Sequence, residues 1–111
     1  MTFDDGVVQI YDVVNINKPG DIPKKGLRWR AEFYFSEESV GITRYYEAIR
    51  ANQMIERVIA VYRAPINTNQ IVVFEDGTQY LVRMVQHTVD ENGIKISRLS
   101  LERNGEEYAF D

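Results

Sequence analysis

The chain has 111 residues, 44% of them hydrophobic, with no cysteine and a net charge of −4. This length fits one domain, and the lack of cysteine excludes disulfide bonds, cysteine-ligated zinc and thiol nucleophiles. The charge disfavours a dedicated nucleic-acid binder, because lysine and arginine supply most non-specific affinity for phosphates.

The sequence predicts neither a secretion signal nor a membrane-spanning helix. The opening MTFDDGVV is acidic, whereas a secretion signal begins with basic residues. No apolar run approaches the ~20 residues that a membrane-spanning helix needs. We therefore expect a protein made in the cytosol.

Two strands and a loop are predicted in the first third of the chain. Residues 7–14 (VVQIYDVV) form the first strand, and residues 15–26, with a Pro-Gly pair, form a loop. In the next run, LRWRAEFYF, every second residue is apolar, which is typical of a half-buried strand. The predicted core face of that strand contains Leu27, Trp29, Ala31, Phe33 and Phe35.

Residues 37–54 interrupt the alternation of the strands. Ile42, Tyr45 and Ile49 are spaced three and four apart, which predicts one face of a short helix. About ten residues of helix are marginally stable alone in water. We therefore predict an inserted loop with a short helix, which needs a surface on which to dock.

The second half of the chain is again rich in strands. Asp76-Gly77 and Asn92-Gly93 are typical of tight hairpin turns, because glycine accepts the positive φ that such turns require. In the last long strand, Ile94 and Ile96 differ in parity from Leu99 and Leu101, so we predict a bulge near Ser97. Residues 104–111 form either a short final strand or a flexible C-terminal tail.

These elements predict one all-β domain over residues 1–111. About six strands, mostly consecutive and joined by hairpin turns, favour an antiparallel sheet. In a chain this small, such a sheet curls into a small β-barrel or a sandwich. The fold class is therefore mainly antiparallel all-β, with one short helical insertion.

No enzyme motif rises above background in this sequence. His87 lies on a predicted strand, and no nucleophile or orienting group is evident beside it. A structural role is favoured, and a small hydrolase using His87 is the less favoured alternative. Adjacent carboxylates such as Glu37 and Glu38 point to opposite sides of an extended chain and are interpreted as solvated surface. We predict no catalytic residue, metal or cofactor.

A second alternative uses the aromatic residues. Four tyrosines and three arginines on the predicted strands could line a stacking groove for single-stranded nucleic acid, as in an OB-like barrel. The simpler interpretation is that tyrosine is a common strand residue with a polar tip, and the acidic charge favours it. The residues of this groove would be Tyr11, Tyr34, Tyr62, Tyr80, Arg28, Arg30 and Arg83.

The order of the motifs resembles the head–tail joining family of tailed phages, also called head-closure, stopper or head–tail adaptor proteins. The similar residues run from about Leu27 to Arg103. They include WRAEFYFSEES, then RYYEAIRANQ, then VIAVYR, then APINTNQIVVFEDGTQYLVRMV and finally ENGIKISRLSLER. The relative order and spacing of these motifs are more specific than any one of them.

This resemblance implies a non-enzymatic virion protein that forms a ring, a hexamer or dodecamer, in the neck between head and tail. The implied partners are a portal-side adaptor protein, a tail terminator or tail tube protein, and packaged double-stranded DNA in passing. The ring would be assembled in the bacterial host cytoplasm and would close the filled head. A tail-completion or tail-terminator ring protein is the nearest alternative.

In the family, the loop after the second strand points into the central channel. On this resemblance, the channel and subunit contacts are Ile42, Arg44, Tyr45, Tyr46, Glu47, Ile49 and Arg50. A gate moves between two arrangements, so a weakly held helix suits it; a fixed cap on one end of the barrel is the other interpretation. The predicted ring-contact loop carries Lys18, Lys24 and Lys25.

Overall fold

The computed structural model describes residues 3–16, 20, 24–38, 54–105 and 107–110. These ranges contain no helix, and the predicted all-β fold is confirmed. The predicted helix of the insert lies outside the described residues. The seven strands are β1 (Gly6–Asn15), β2 (Lys25–Glu38), β3 (Arg57–Tyr62), β4 (Ile71–Val73), β5 (Gln79–Val89), β6 (Lys95–Arg103) and β7 (Ala109–Phe110).

The strands form one sheet that closes on itself. Its order is β1-β4-β5-β6-β3-β2-β7, and β1 also pairs with β2, so the first six strands complete a ring. Each half of the ring is a three-stranded meander, and the halves join through β1–β4 and β3–β6. Among the described strands, only β7 pairs in parallel, with β2. The mainly antiparallel architecture therefore follows the prediction.

The closed sheet has two distinct ends. At one end β1 begins beside Phe35 and β2 finishes at Glu38. We call this the insert end, because the chain enters residues 39–53 there. At the opposite, lysine end, Asn15 pairs with Lys25, and the chain between them contains Lys18 and Lys24.

Both predicted glycine turns are present, one at each end of the sheet. Gly77 at the insert end has φ 85° and Gly93 at the lysine end has φ 78°. Only glycine adopts such values at little cost. The side chain of Asp76 reinforces its turn, because its Oδ1 accepts bonds from the Thr78 N–H at 3.0 Å and the Thr78 hydroxyl at 2.7 Å.

A bulge in β2 changes which side chains face the interior. Ile10 pairs with Ala31, but the next residue, Tyr11, pairs with Trp29, so Arg30 is the extra residue. Beyond the bulge, Ala31, Phe33 and Phe35 point inward, while before it Leu27 and Trp29 point outward. The prediction that Trp29 lies on the core face is therefore wrong: it is 57% exposed, and its Nε1 donates to Gln9 Oε1 at 2.6 Å.

A second bulge lies in β5 rather than in β6. Val82 pairs with Leu101 and Met84 with Ser100, so Arg83 is the extra residue. β6 keeps an unbroken register with β3. The predicted bulge near Ser97 is wrong because β6 buries apolar residues on both faces: Leu99 inside the ring and Ile96 outside it.

The interior and part of the exterior of the ring are both packed with apolar side chains. The interior cluster consists of Val8, Ile10, Phe35, Ile59, Val61, Ile66, Val72, Phe74, Tyr80, Val82, Leu99 and Leu101. A smaller outer cluster lies under the C-terminal segment and consists of Leu27, Ile71 and Val73 with Tyr11, Val13, Leu81 and Tyr108. This outer cluster explains why Leu27 is buried although it points outward.

The C-terminal segment is fastened by a buried glutamine. Gln79 is 3% exposed; its Nε2 donates to the Tyr108 carbonyl and its Oε1 accepts the Tyr108 N–H, each at 2.9 Å. Its side chain thus bonds Tyr108 much as a neighbouring strand would. Beyond Tyr108, β7 pairs with Gly26 and Leu27. Of the two alternatives predicted for residues 104–111, the structure therefore has the short final strand.

Candidate interaction surfaces at the insert end and along β2

The chain enters the insert from a firmly held position. Glu37 binds Arg57 through two bonds, Nε to Oε1 at 2.9 Å and Nη2 to Oε2 at 2.5 Å. The guanidinium of Arg57 also lies 3.6 Å from the centre of the Phe74 ring, within the range of a cation–π contact. The hydrogen bond that Arg57 donates to the Glu37 carboxylate raises the pKa of Arg57 above its ordinary value.

The next residue, Glu38, is held on the opposite face of the sheet. Arg98 donates to it through Nε and, at 3.1 Å, through Nη2, and this bond raises the pKa of Arg98. Both side chains are more than 70% buried. The two carboxylates do point to opposite sides, as predicted. Their interpretation as solvated surface holds for Glu37, whose side chain is 41% exposed although Arg57 binds it. It is wrong for Glu38, whose side chain is only 19% exposed.

The return from the insert is fixed as well. The Glu56 N–H donates to the Leu101 carbonyl at 2.8 Å. Ile55 is buried and packs with Val58. On the outgoing side, the Glu37 N–H donates to Asp5 Oδ2 at 2.6 Å. The residues on both sides of the insert are therefore parts of the rigid sheet.

A cavity of about 240 Å³ opens at the insert end. Three carboxylate side chains, those of Asp5, Glu75 and Asp76, line the cavity together with one positively charged side chain, that of Arg57. The pKa of Asp76 lies below its ordinary value because Thr78 donates two hydrogen bonds to it, which stabilises the ionised form. The cavity is lined by Asp5, Val7, Phe35, Arg57, Phe74, Glu75 and Asp76.

Most of the predicted contact residues lie outside the described residues. This holds for the whole channel set, Ile42, Arg44, Tyr45, Tyr46, Glu47, Ile49 and Arg50, and for Lys18. Lys24 and Lys25 are exposed at the lysine end. The Lys24 carbonyl accepts the Ile16 N–H at 3.0 Å, which closes the base of that loop.

The β2–β3 junction is a surface that the sequence did not predict. β2 and β3 pair only at Ser36–Ala60, Glu37–Ile59 and Glu38–Val58. If the register continued, Tyr34 would face Tyr62, but the strands separate there and these two rings are 63% and 55% exposed. We call the open stretch between residues 30–34 and residues 62–66 the seam.

A second cavity lies in the seam and reaches the interior of the ring. Its volume is about 220 Å³. Its lining is mostly apolar and comprises Ile10, Arg30, Ala31, Phe33, Ala64, Pro65, Ile66 and Gln70. Because β2 looks like any paired strand in the sequence, no local signal marks it as half-open.

His87 lies beside a serine, but the arrangement is structural. Its Nδ1 is 2.9 Å from the Ser97 hydroxyl. Ser97 is fully buried, and its hydroxyl accepts the Ala64 N–H at 3.2 Å. The serine therefore anchors the turn after β3, and its oxygen is not accessible to a substrate.

The aromatic groove considered for single-stranded nucleic acid is not assembled as one surface. Tyr80 is 8% exposed and belongs to the interior cluster. Tyr11 stacks edge-on against Phe110 at 5.2 Å, and Arg83 is bound to Glu102. Of the four tyrosines, only Tyr34 and Tyr62 are exposed, and they flank the seam.

Comparison with known proteins adds no relative: no protein-family model matches the chain, and no curated protein matches it in sequence. Within the described ranges, no three histidine, aspartate or glutamate side chains are grouped so that they could hold a metal ion. In the same part of the chain there is no helix long and apolar enough to cross a membrane. Any function proposed for the chain must therefore be inferred from its sequence motifs and its own surfaces.

Proposed function

We propose that the chain is a structural ring subunit of a tailed-phage or prophage neck, similar to head–tail joining proteins. The motif order between about Leu27 and Arg103 supports this role. The closed sheet supports it too, because a ring that holds a head and a tail together needs rigid subunits. In this role the ring closes the filled head and retains the packaged DNA.

The observation that carries the proposal is that the insert and the lysine loop leave opposite ends of one rigid sheet. A ring between two unlike neighbours needs two unlike faces on every subunit. The insert is assigned to the central channel. The loop with Lys24 and Lys25 is assigned to a neighbouring ring, either the portal-side adaptor or the tail terminator or tail tube.

The bonding at the insert end suits a gate. A gate needs a base that stays in place while the gate moves, and Glu37 and Glu38 are each held by an arginine at the start of the insert. The net charge of −4 also fits. Packaged DNA has to slide past the ring, and a strongly basic channel wall would retard it.

The test removes residues 40–50 from the chain and from the phage that encodes it. This deletion removes no described strand pair, since the last β2–β3 pair is Glu38–Val58. We expect the purified variant to unfold cooperatively, close to the melting temperature of the parent. We expect the mutant phage to yield filled heads that lose DNA or take no tails, as seen by electron microscopy.

A matched variant replaces residues 40–50 with a glycine-serine linker of the same length. It keeps the length of the connection but removes the side chains of Tyr45, Tyr46 and Ile49. It should fail in the same way if those side chains make the contacts. Loss of folding in both variants would place the segment in the core, and normal phage yield with both would exclude a gate.

A further inference from the structure

Alternate residues of β2 direct their backbone groups into the seam. In an antiparallel strand, successive residues point their N–H and C=O groups to opposite sides. The Glu37 N–H points towards Asp5 on the β1 side, so Ser36, Tyr34 and Glu32 point away from β1. Ser36 uses its groups to pair with Ala60.

The direction of these groups is confirmed from β1. The Val7 N–H donates to Glu75 Oε1, beyond β4, at 2.7 Å, so Val8 and Ile10 face β2. Their partners Phe33 and Ala31 face β1 in return. Glu32 lies between Ala31 and Phe33, and Tyr34 follows Phe33. The backbone N–H and C=O groups of Glu32 and Tyr34 therefore point into the seam.

No described strand pairs with β2 on this side between Leu27, where β7 pairs, and Ser36, where β3 pairs. A row of backbone groups without a neighbouring strand is a template for another chain. Natural complexes use such edges to bind extended segments by strand addition. The pairing groups of Glu32 and Tyr34 therefore fit a polypeptide backbone better than any other ligand.

The seam cavity adds a place for a side chain. Its volume of about 220 Å³ is below the roughly 300–1,000 Å³ typical of small-molecule sites. Ala31, Phe33 and Ile66 give it apolar walls. It suits one branched aliphatic side chain that enters beside the paired backbone.

One exposed arginine lies at the rim of the seam cavity. Arg30 lines the cavity and its side chain is 66% exposed, with Asp12 3.8 Å away. An ion pair this exposed contributes little, so Arg30 can exchange Asp12 for another carboxylate.

We propose that an extended segment of a partner polypeptide adds to β2 at the seam. It pairs with Glu32 and Tyr34, places an aliphatic side chain in the cavity and brings carboxylates to Arg30. The partner is therefore an acidic chain that alternates apolar and acidic residues. This proposal is independent of the virion role, because it depends only on the edge of β2, the seam cavity and Arg30.

The first experiment titrates the isotope-labelled full-length protein with a capped peptide of about seven residues that alternates leucine and glutamate. We expect the NMR signals of the Glu32 and Tyr34 amides to shift and their hydrogen exchange to slow. Replacing the central leucine by alanine should weaken binding about tenfold or more, because it empties the cavity. N-methylation of alternate peptide bonds should abolish binding.

Two protein variants separate backbone pairing from charge. Glu32→Pro removes an N–H with which no described strand pairs, so the protein should fold but lose the peptide. Glu32→Ala keeps the N–H and should still bind it. Equal binding by the proline variant, or no binding at millimolar peptide, would overturn the proposal. So would displacement of the peptide by an oligothymidine, which would indicate a nucleic-acid groove.

Discussion

The two sides of β2 are paired to very different extents. Towards β1, ten residues of β1 have registered partners, from Gly6 to Asn15. Towards β3 there are three pairs, after which the strands separate. One side of the strand therefore builds the core, while the other closes the ring by a short junction and leaves an edge. A strand can thus be structural and available for binding at once.

The largest expected effect comes from placing proline on each side in turn. Ala31→Pro removes an N–H that faces β1, and we expect it to lower the free energy of unfolding by about 2–4 kcal/mol. Glu32→Pro removes one that faces the seam, and we expect a change within about 1 kcal/mol of the parent. Urea unfolding followed by circular dichroism measures both.

This proline comparison can fail in two informative ways. If Glu32→Pro destabilises as strongly as Ala31→Pro, the seam side of β2 is paired in solution, and the contrast between the two sides disappears. If neither substitution has a large effect, the β1–β2 pairing is less important for stability than its length implies.

Much of the sheet was predictable because alternation and turn residues are local signals. The strands around LRWRAEFYF and the turns at Gly77 and Gly93 follow from a few neighbouring residues. The bulges at Arg30 and Arg83 leave no such signal. Each bulge reverses which side chains face the interior beyond it. The predicted strand around Trp29 is therefore present, but Trp29 points outward instead of inward.

The candidate surfaces were less predictable, because they depend on residues far apart in the chain. Glu37 and Arg57 are 20 residues apart, and Glu38 and Arg98 are 60 apart. A pair of adjacent glutamates looks like ordinary solvated surface until the ring brings an arginine to each face. The seam is equally invisible in sequence, since it arises where no described strand pairs with one side of β2.

A smaller effect is expected at the lysine end of the same edge, where β7 covers Gly26 and Leu27. Gln79→Ala removes the two side-chain bonds to Tyr108, and we expect a loss of about 1–3 kcal/mol. It should also speed hydrogen exchange and proteolysis in residues 107–110, so that the open edge becomes longer.

The matched control for this change is Gln70→Ala. Gln70 is also a buried amide, 7% exposed, but it binds Asp12 beside the seam rather than the tail. We expect Gln70→Ala to lower the free energy of unfolding by a comparable amount and to leave hydrogen exchange in residues 107–110 unchanged. Faster exchange there in both variants would mean that the tail responds to general destabilisation rather than to Gln79.

The smallest effect concerns the ion pairs that reinforce the three-pair junction. Double-mutant cycles with alanine should give a coupling energy of about 1 kcal/mol or less for Arg57–Glu37, because Glu37 is 41% exposed and solvent screens the pair. Arg98–Glu38 should couple more strongly, since its side chains are only 25% and 19% exposed. Raising the salt concentration should weaken the first coupling more than the second. If both couplings are zero, the ion pairs do not stabilise the junction, and the base of the insert is held by the backbone pairs, the Asp5 bond to the Glu37 N–H and the packing of Ile55.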